Sequence, residues 1–584
     1  MKKSHTHFGL SLLTVLLLLP GMFQLGLFDW DELNFAESSR EMLESQQWLF
    51  NQMQFEPFWE KPPLFNWMQA AFAWALGTQD WVFRLPNLLA AVIAVNLSYH
   101  IGFSMGKRML GSFWALSTLA TFAPYFYWKS GLIDPWFNLF LVGAIWQWFQ
   151  MGQAQRLGDR PHRHYTFSGL LLGLAILTKG PVALLVFALV VLVVSFSYKR
   201  WNELIHPGIF AFVFAVSLPI LAWLLPLSMT LGWEFPLRFL GYQLHLAGGQ
   251  FDWHNQPWFY HSLVLFFLCF PSSGLALPFL FNAKNDSRDF ALWFPYMRSL
   301  FWVVLLLFSV VQTKIIHYSS LCWWPLSFFG AYSVYLWHTN RRKLPGSLYL
   351  ALFLSGLGLA TALIAVPLLW GFKQIPTPWL LKMDLFSASV VRYGETWSWT
   401  SLLPGFLFSL YFLYFLFRAL IRKPWHPGLL YGLTAGTAVL CSWFLLKPAE
   451  KALQAPLRAE IESLSDRGVR YELWGFKSYA LPFWGNWTQD DCIDSLRWND
   501  SAFFSELEKQ EQAKNSHPIQ SNGFALYPSR TARNRYFQDG PCEPLMFIIT
   551  RADFKPDWYF QQKFKALKPL GGYWLWKRTC EEVQ

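Results

Sequence analysis

Residues 29–64 read DWDELNFAESSREMLESQQWLFNQMQFEPFWEKPPL and stand between two long apolar runs. Eight carboxylates (Asp29, Asp31, Glu32, Glu37, Glu41, Glu44, Glu56 and Glu60) crowd beside one Lys-Pro-Pro, in a chain that is 54% hydrophobic. Charge held against a membrane span must be solvated, paired or used. The stretch therefore reads either as a solvated loop or as a reactive surface at a membrane face.

Composition favours the membrane. Only 14% of the 584 residues are charged, 19% are aromatic, and mean hydropathy is +0.25. The 34 Trp exceed what a soluble core needs, and Trp is enriched at bilayer interfaces, where an apolar ring and a polar N–H are both accommodated. A net charge of +11 could indicate nucleic acid, but from Lys447 onward 19 basic residues face 18 acidic ones. The excess lies in short Lys/Arg clusters between apolar runs, which is the positive-inside pattern, and no nucleic-acid partner is expected.

Taking about 20 apolar residues per crossing, spans are expected near 8–28, 82–105, 110–128, 132–151, 166–178, 181–198, 207–231, 257–281, 299–313, 318–337, 346–370, 399–420 and 428–446. The first follows Met-Lys-Lys without a small-x-small cleavage site and is read as a retained helix. With the N-terminus inside, the clusters at Lys107/Arg108, Arg156/Arg160/Arg163, Lys199/Arg200, Lys284/Arg288/Arg298, Arg341/Arg342/Lys343 and Arg418/Arg422/Lys423 all fall on one side. Lys373, Lys382 and Arg392 are scattered in a longer loop. The expected architecture is an α-helical polytopic membrane protein: about thirteen helices in 1–446, a first outer loop at 29–81, and a soluble α/β domain at 447–584 left outside by the odd span count.

In the tail, Lys447–Arg467 has helical spacing, and so does a stretch near Asp490–Lys509. Short β-type runs occupy Val469–Phe476, Phe524–Tyr527, Met546–Thr550 and Tyr573–Lys577. Cys269, Cys322 and Cys441 lie in apolar runs and read as core, whereas Cys492, Cys542 and Cys580 leave room for one disulfide of open pairing. His245, His254 and His261 match no common metal spacing and read as interfacial or core residues.

On this topology, isolated ionisable residues gather at the outer ends of spans: Glu60, Lys61 and Arg84 from the first loop, Asp134 before Pro135, Lys179 in Leu-Thr-Lys-Gly-Pro, and Lys314, His317 and Tyr318 in Thr-Lys-Ile-Ile-His-Tyr. Each has a plainer reading. Asp31 and Glu32 suit the start of a surface helix, Asp134 a turn or cap, and Lys179 and Lys314 snorkelling from span ends. Together, cations that bind phosphate and carboxylates that accept protons suit a lipid-phosphate substrate whose phosphate departs. A lipid-phosphate transporter or flippase is the rival reading, but it would place charges and helix breaks near mid-membrane, in related halves that this sequence lacks.

Asp31-Glu32, Ala36-Glu37, Arg40-Glu41-Met42-Leu43, Trp48, Glu60-Lys61-Pro62-Pro63-Leu64 and Arg84-Leu85 together resemble the first-loop signature of GT-C polyprenyl-phosphate-sugar glycosyltransferases. These include the bacterial aminoarabinose–lipid A transferases and the protein O-mannosyltransferases. The resemblance extends through Asp134, Leu177-Thr178-Lys179-Gly180-Pro181 and Lys314…His317-Tyr318…Pro325. Two departures stand out. The opening motif continues Leu33-Asn34-Phe35, where the aminoarabinose transferases resemble Thr-Arg-Tyr, and Gln243-Leu244-His245 precedes Ala247-Gly248-Gly249, where relatives often carry a Glu-His pair followed by Arg.

The resemblance implies transfer of a monosaccharide from a polyprenyl-phosphate carrier to lipid A, another envelope glycan or a protein, at the periplasmic face of a bacterial inner membrane. It implies Asp31 and Asp134 as catalytic acids, Lys61 with Glu60 on the carrier phosphate, and Glu32, Arg84, Lys179, Lys314, His317 and Tyr318 in the substrate site. Two first-loop helices along the membrane are implied, and Ala36–Ser45 and Leu64–Leu76 suit them; Glu41 and Glu44 then read as solvating a helix face. No cofactor is called for, and the need for a divalent metal stays open.

Overall fold

The computed structural model describes residues 3–234, 256–281, 292–311, 314–339, 346–375, 385–420, 427–476, 478–491, 536–540 and 545–579, with isolated positions within 236–243 and 379–383. The expected helix at 490–509, the strand at 524–527, His245, His254 and the three tail cysteines lie outside the described residues.

Helices dominate, as the apolar runs require. In order they begin α1 Lys3–Leu18, α2 Asp31–Ser45, α3 Leu64–Leu76, α4 Leu85–Ser104, α5 Arg108–Ala120, α6 Phe122–Trp128, α7 Asp134–Leu157, α8 His162–Lys179 and α9 Val182–Tyr198. The chain continues through Gly208–Leu231, Phe294–Val310, Trp323–His338, Gly346–Val366, Leu403–Leu420 and Pro427–Cys441. Among the described residues five helices are long and apolar enough to cross a bilayer by length and composition, and four shorter ones are apolar. The chain is thus a polytopic helical membrane protein.

Several expected spans are differently built, each for a backbone reason. The first helix runs 3–18 rather than 8–28, because Pro20 offers no N–H and Gly21 turns the chain at φ +78°. The span read at 110–128 breaks at Thr121, which is extended, and the span at 257–281 splits into Tyr260–Leu268 and Ser272–Phe281 around Pro271. The two breaks satisfy each other: the Phe122 N–H donates to the Phe270 carbonyl at 3.1 Å, and the hydroxyls of Thr121 and Ser272 bond at 2.6 Å. Away from water, freed backbone groups need partners of this kind. The runs read as short, 166–178 and 299–313, belong to helices of 18 and 17 residues that begin earlier.

Both first-loop helices form, and α2 begins five residues before the expected Ala36, at Asp31 itself. Between them, strands β1 (Gln52–Met53) and β2 (Glu56–Pro57) make a hairpin whose central residues, Gln54 and Phe55, both have positive φ. Glu41 does not solvate a helix face. It is fully buried and accepts the N–H groups of Gln54 (2.7 Å) and Phe55 (2.8 Å), which holds the turn. Arg40 is buried likewise, forked onto Glu37, bonded to Glu44 and donating to the Trp487 carbonyl of the tail.

The tail forms a four-stranded mixed sheet in the order β3–β4–β6–β5, from Arg470–Trp474, Met546–Arg551, Tyr573–Arg578 and Phe564–Leu570. Strand β5 was not expected, since its Lys-Ala-Leu-Lys-Pro run lacks strict alternation and carries a register shift at Ala566/Lys568. The expected helix 447–467 breaks at Gln454, ahead of Pro456. One hydrophobic core joins tail to first loop: Leu33, Ala36, Phe58 and Phe83 pack with Leu457, Ile461, Tyr479 and Leu481.

Glu32 and Arg84, expected in the substrate site, are paired with each other. Arg84 grips both oxygens of Glu32 at 2.9 and 2.6 Å and donates to the carbonyls of Leu25 and Gly26. Glu32 also accepts the N–H groups of Phe28 and Gly131. Both side chains are almost fully buried, so they act as a structural bolt between loop and bundle. Removing one partner of such a pair strands a buried charge. Arg84→Met is expected to destabilise the fold by about 3–5 kcal/mol, seen as a lowered melting temperature in detergent, with part of the loss recovered in Arg84→Gln/Glu32→Gln.

Candidate active site

Four separated segments meet at one face of the bundle. Asp31 is the first residue of α2, and Glu60 and Lys61 precede the Pro-Pro that starts α3. Asp134 opens α7 with Pro135 behind it, at the position where proline is tolerated and an acid faces the positive end of the helix dipole. Lys179 closes α8, where Gly180 at φ +88° ends the helix and a cation meets the negative end. His317 and Tyr318 lie on the 3₁₀ turn Ile316–Cys322, ahead of the helix that begins at Trp323.

These side chains are paired unevenly. The Lys179 amine donates to Asp134 Oδ1 at 2.6 Å, and the same oxygen lies 3.3 Å from Ser320 Oγ. Lys179 also sits over the rings of Phe137 (5.4 Å) and Tyr318 (5.7 Å). Lys61 meets Glu60 at 3.2 Å, and Asn51 donates to the Lys61 carbonyl at 3.0 Å. Asp31 Oδ2 faces Nδ1 of His317 at 3.8 Å, and the His317 ring stands edge-on to Tyr318. The Asp31 side chain keeps 39% exposure against 23% for Glu60 and 2% for Asp134, so Asp31 is the most exposed carboxylate of the group.

Burial and neighbours tune the exposed rim. Desolvation raises the Asp31 carboxyl above its ordinary value, with Glu60 and Asp134 adding to the rise and His317 and Lys61 opposing it. Burial pushes the His317 imidazole down, the two lysines add to that, and Asp134 and Asp31 oppose it. Burial disfavours the charged Lys61 amine, but Glu60, Tyr318 and Asp31 outweigh it and hold the amine above the ordinary lysine range, firmly charged.

Of the ten residues predicted from sequence, Asp31, Glu60, Lys61, Asp134, Lys179, His317 and Tyr318 thus share one patch, while Glu32 and Arg84 form the bolt behind it. Lys314 is buried nearby, within electrostatic reach of His261, which is itself buried beside Ser319. Gln243, at the second departure from the family pattern, donates to the Glu60 carbonyl at 3.0 Å. Asn34, at the first, is buried with its Oδ1 unbonded.

Sequence reasoning missed the tail's grip on this patch. The buried amide of Gln454 donates to the Leu27 carbonyl at 2.7 Å and accepts the Asp29 N–H at 3.3 Å, pairing with the strand that leads into α2. Tyr479 donates its N–H to Asp29 at 3.4 Å and stacks edge-on against Trp30. The available signal was the Gln-Ala-Pro break after residue 453. A separate groove of about 700 Å³ between first loop and tail is lined by Asp80, Trp81, Lys447 and Arg458, and by none of the predicted site residues.

Residues 60–223 match the family model described as dolichyl-phosphate-mannose-protein mannosyltransferase. The chain is 28% identical over 382 residues to the undecaprenyl phosphate-alpha-4-amino-4-deoxy-L-arabinose arabinosyl transferase of Pseudomonas aeruginosa, a match spanning 62% of this chain and 66% of that one. It is equally similar, at 28% over 392 residues, to the enzyme of the same name from Edwardsiella ictaluri, covering 64% and 68%. The fold is shared with ArnT from Cupriavidus metallidurans bound to undecaprenyl phosphate, at a TM-score of 0.69 and 16% identity, with 99% of each chain covered. The chain therefore shares the fold of ArnT and is similar in sequence to the aminoarabinose transferases, with residues 60–223 matching the protein mannosyltransferase model.

Asp29, two residues from Asp31, makes the tail's grip sensitive to pH. Burial raises its carboxyl to about 6, against hydrogen bonds from Ser478 and Tyr479. An acid held that high when folded supports the docked state most fully below pH 3.8 and loses that contribution as pH rises through 6. Hydrogen exchange at residues 27–30 is expected to accelerate between pH 4 and 7, and Asp29→Asn to flatten that rise.

Proposed function

We propose that the protein transfers a monosaccharide from a polyprenyl-phosphate carrier to an envelope acceptor: lipid A, another glycan or a protein. The observation that carries this reading is the convergence of Asp31, Lys61, Asp134–Lys179 and His317–Tyr318 at one end of the bundle. Lys61 and Lys179 hold the carrier phosphate as point charges and stabilise it as it leaves. Asp134 keeps Lys179 oriented, Glu60 does the same for Lys61, and Tyr318 walls the site under Lys179. Asp31, accessible and backed by the Glu32–Arg84 bolt, assists the nucleophile that attacks the anomeric carbon opposite the departing phosphate, which inverts that carbon. Lys314 adds positive potential behind the site.

About thirteen spans in residues 1–446 hold this site at the periplasmic face of the inner membrane, with 447–584 a periplasmic α/β domain that braces the first loop. The transport rival has less to support it, because the described ionisable cluster sits at helix ends on one face rather than along a mid-membrane path.

Asp31→Asn, at normal protein level, is expected to abolish the mass that wild-type cells add to their envelope lipids, glycans or proteins, read by mass spectrometry against a deletion strain. Full retention of that mass would remove Asp31 from the chemistry. Lys61→Ala is expected to raise KM for the lipid donor more than it lowers kcat, as loss of carrier binding requires.

A further inference from the structure

Among the described residues, Asp31 and His317 are two acid–base groups of the site joined to a partner by no short contact. Asp134 is consumed by Lys179 and Ser320, and Glu60 is paired with Lys61. Asp31 Oδ2 and His317 Nδ1 face each other at 3.8 Å, beyond hydrogen-bond length yet close enough to share a proton through small movement or one water. They come from opposite sides of the mouth, α2 of the first loop and the turn before Trp323, so the folded bundle is required to bring them together.

We infer that Asp31 and His317 form one proton-accepting dyad, and that the acceptor group it serves is a hydroxyl. This deepens the transfer reading above and rests on it. A hydroxyl oxygen must lose its proton as it becomes a glycosidic oxygen, so a base beside it lowers the barrier. A phosphate monoester is already largely ionised at neutral pH and needs no such base. In the step, the acceptor oxygen bonds to the anomeric carbon while the carbon–oxygen bond to the carrier phosphate breaks. The electron pair leaves with the polyprenyl phosphate, and the acceptor's proton passes to the dyad and then to water.

The surroundings suit this role. Burial moves the acid up and the imidazole down, bringing the two affinities closer. The charged and titratable groups facing it are Glu60 and Lys61 from the first loop, Asp134 from α7, Lys179 from α8, Tyr318 on the same turn and His261 from the helix Tyr260–Leu268. The two lysines keep the imidazole neutral and able to accept, and the carboxylates stabilise it once protonated.

The test uses the full chain in cells, with His317→Gln beside wild type, medium pH varied from 5 to 8, and the added sugar followed by mass spectrometry. Wild-type transfer is expected to fall as pH drops through the titration of the dyad. His317→Gln is expected to lose 10²–10⁴-fold in rate, the range a positioned general base supplies, and to lose that pH limb. Its affinity for undecaprenyl phosphate, measured on purified protein by tryptophan fluorescence, is expected to hold within twofold. The added sugar is expected in an acid-stable glycoside rather than an acid-labile glycosyl phosphate. A His317→Gln rate within twofold of wild type, an unchanged pH limb, or sugar on a phosphate oxygen would overturn the dyad while leaving transfer intact. Absence of added sugar from wild-type cells would overturn both.

Discussion

The bidentate pair between Arg84 and Glu32 is the constraint on which the outer face depends. A guanidinium and a carboxylate beside hydrocarbon are tolerable only when nearly every polar atom is met, and here the surplus donors and acceptors go to Leu25, Gly26, Phe28 and Gly131. The pair thus ties together the exit from α1, the start of α2, the entry to α4 and the loop before α7. Asp31 and Asp134 lie one and three residues from atoms of that knot. Asp134 is held 2.6 Å from Lys179 and Asp31 3.8 Å from His317 on a backbone that this pair pins.

The tail works on the same few residues from the other side. Gln454 treats residues 27–29 as a strand edge, Tyr479 holds Asp29 and Trp30, and Arg40 reaches the Trp487 carbonyl. The core under these contacts is shared between first loop and tail rather than divided at residue 447. Loops that carry reactive groups need support for each to stay in place, and here support comes from bundle and tail together.

The parts of the fold legible in the sequence were those set by short-range physics. Apolar runs and Lys/Arg clusters marked the bundle, and Leu64–Leu76 was legible as a first-loop helix with the bounds that α3 has. Motif matching gathered the patch residues, including Asp134 and Lys179, which are paired at 2.6 Å across 45 positions of sequence. What was hidden depended on tertiary partners. Glu41 looks like any surface helix acid until its hairpin is seen, and the pairing of Arg84 with Glu32 across 52 positions is visible in neither motif. Thr121 and Phe270 break two spans because each break supplies what the other lacks, which no single window of sequence contains.

In the proposed transfer, the strongly paired groups hold the leaving phosphate and its lysines, and the loosely paired Asp31 faces the incoming nucleophile. That proposal entails one displacement and no covalent sugar–enzyme intermediate. The measurement that bears most directly on this is the anomeric configuration of the transferred sugar relative to its carrier-bound form, by NMR of the isolated product. Single displacement at Asp31 predicts inversion; retention would contradict it.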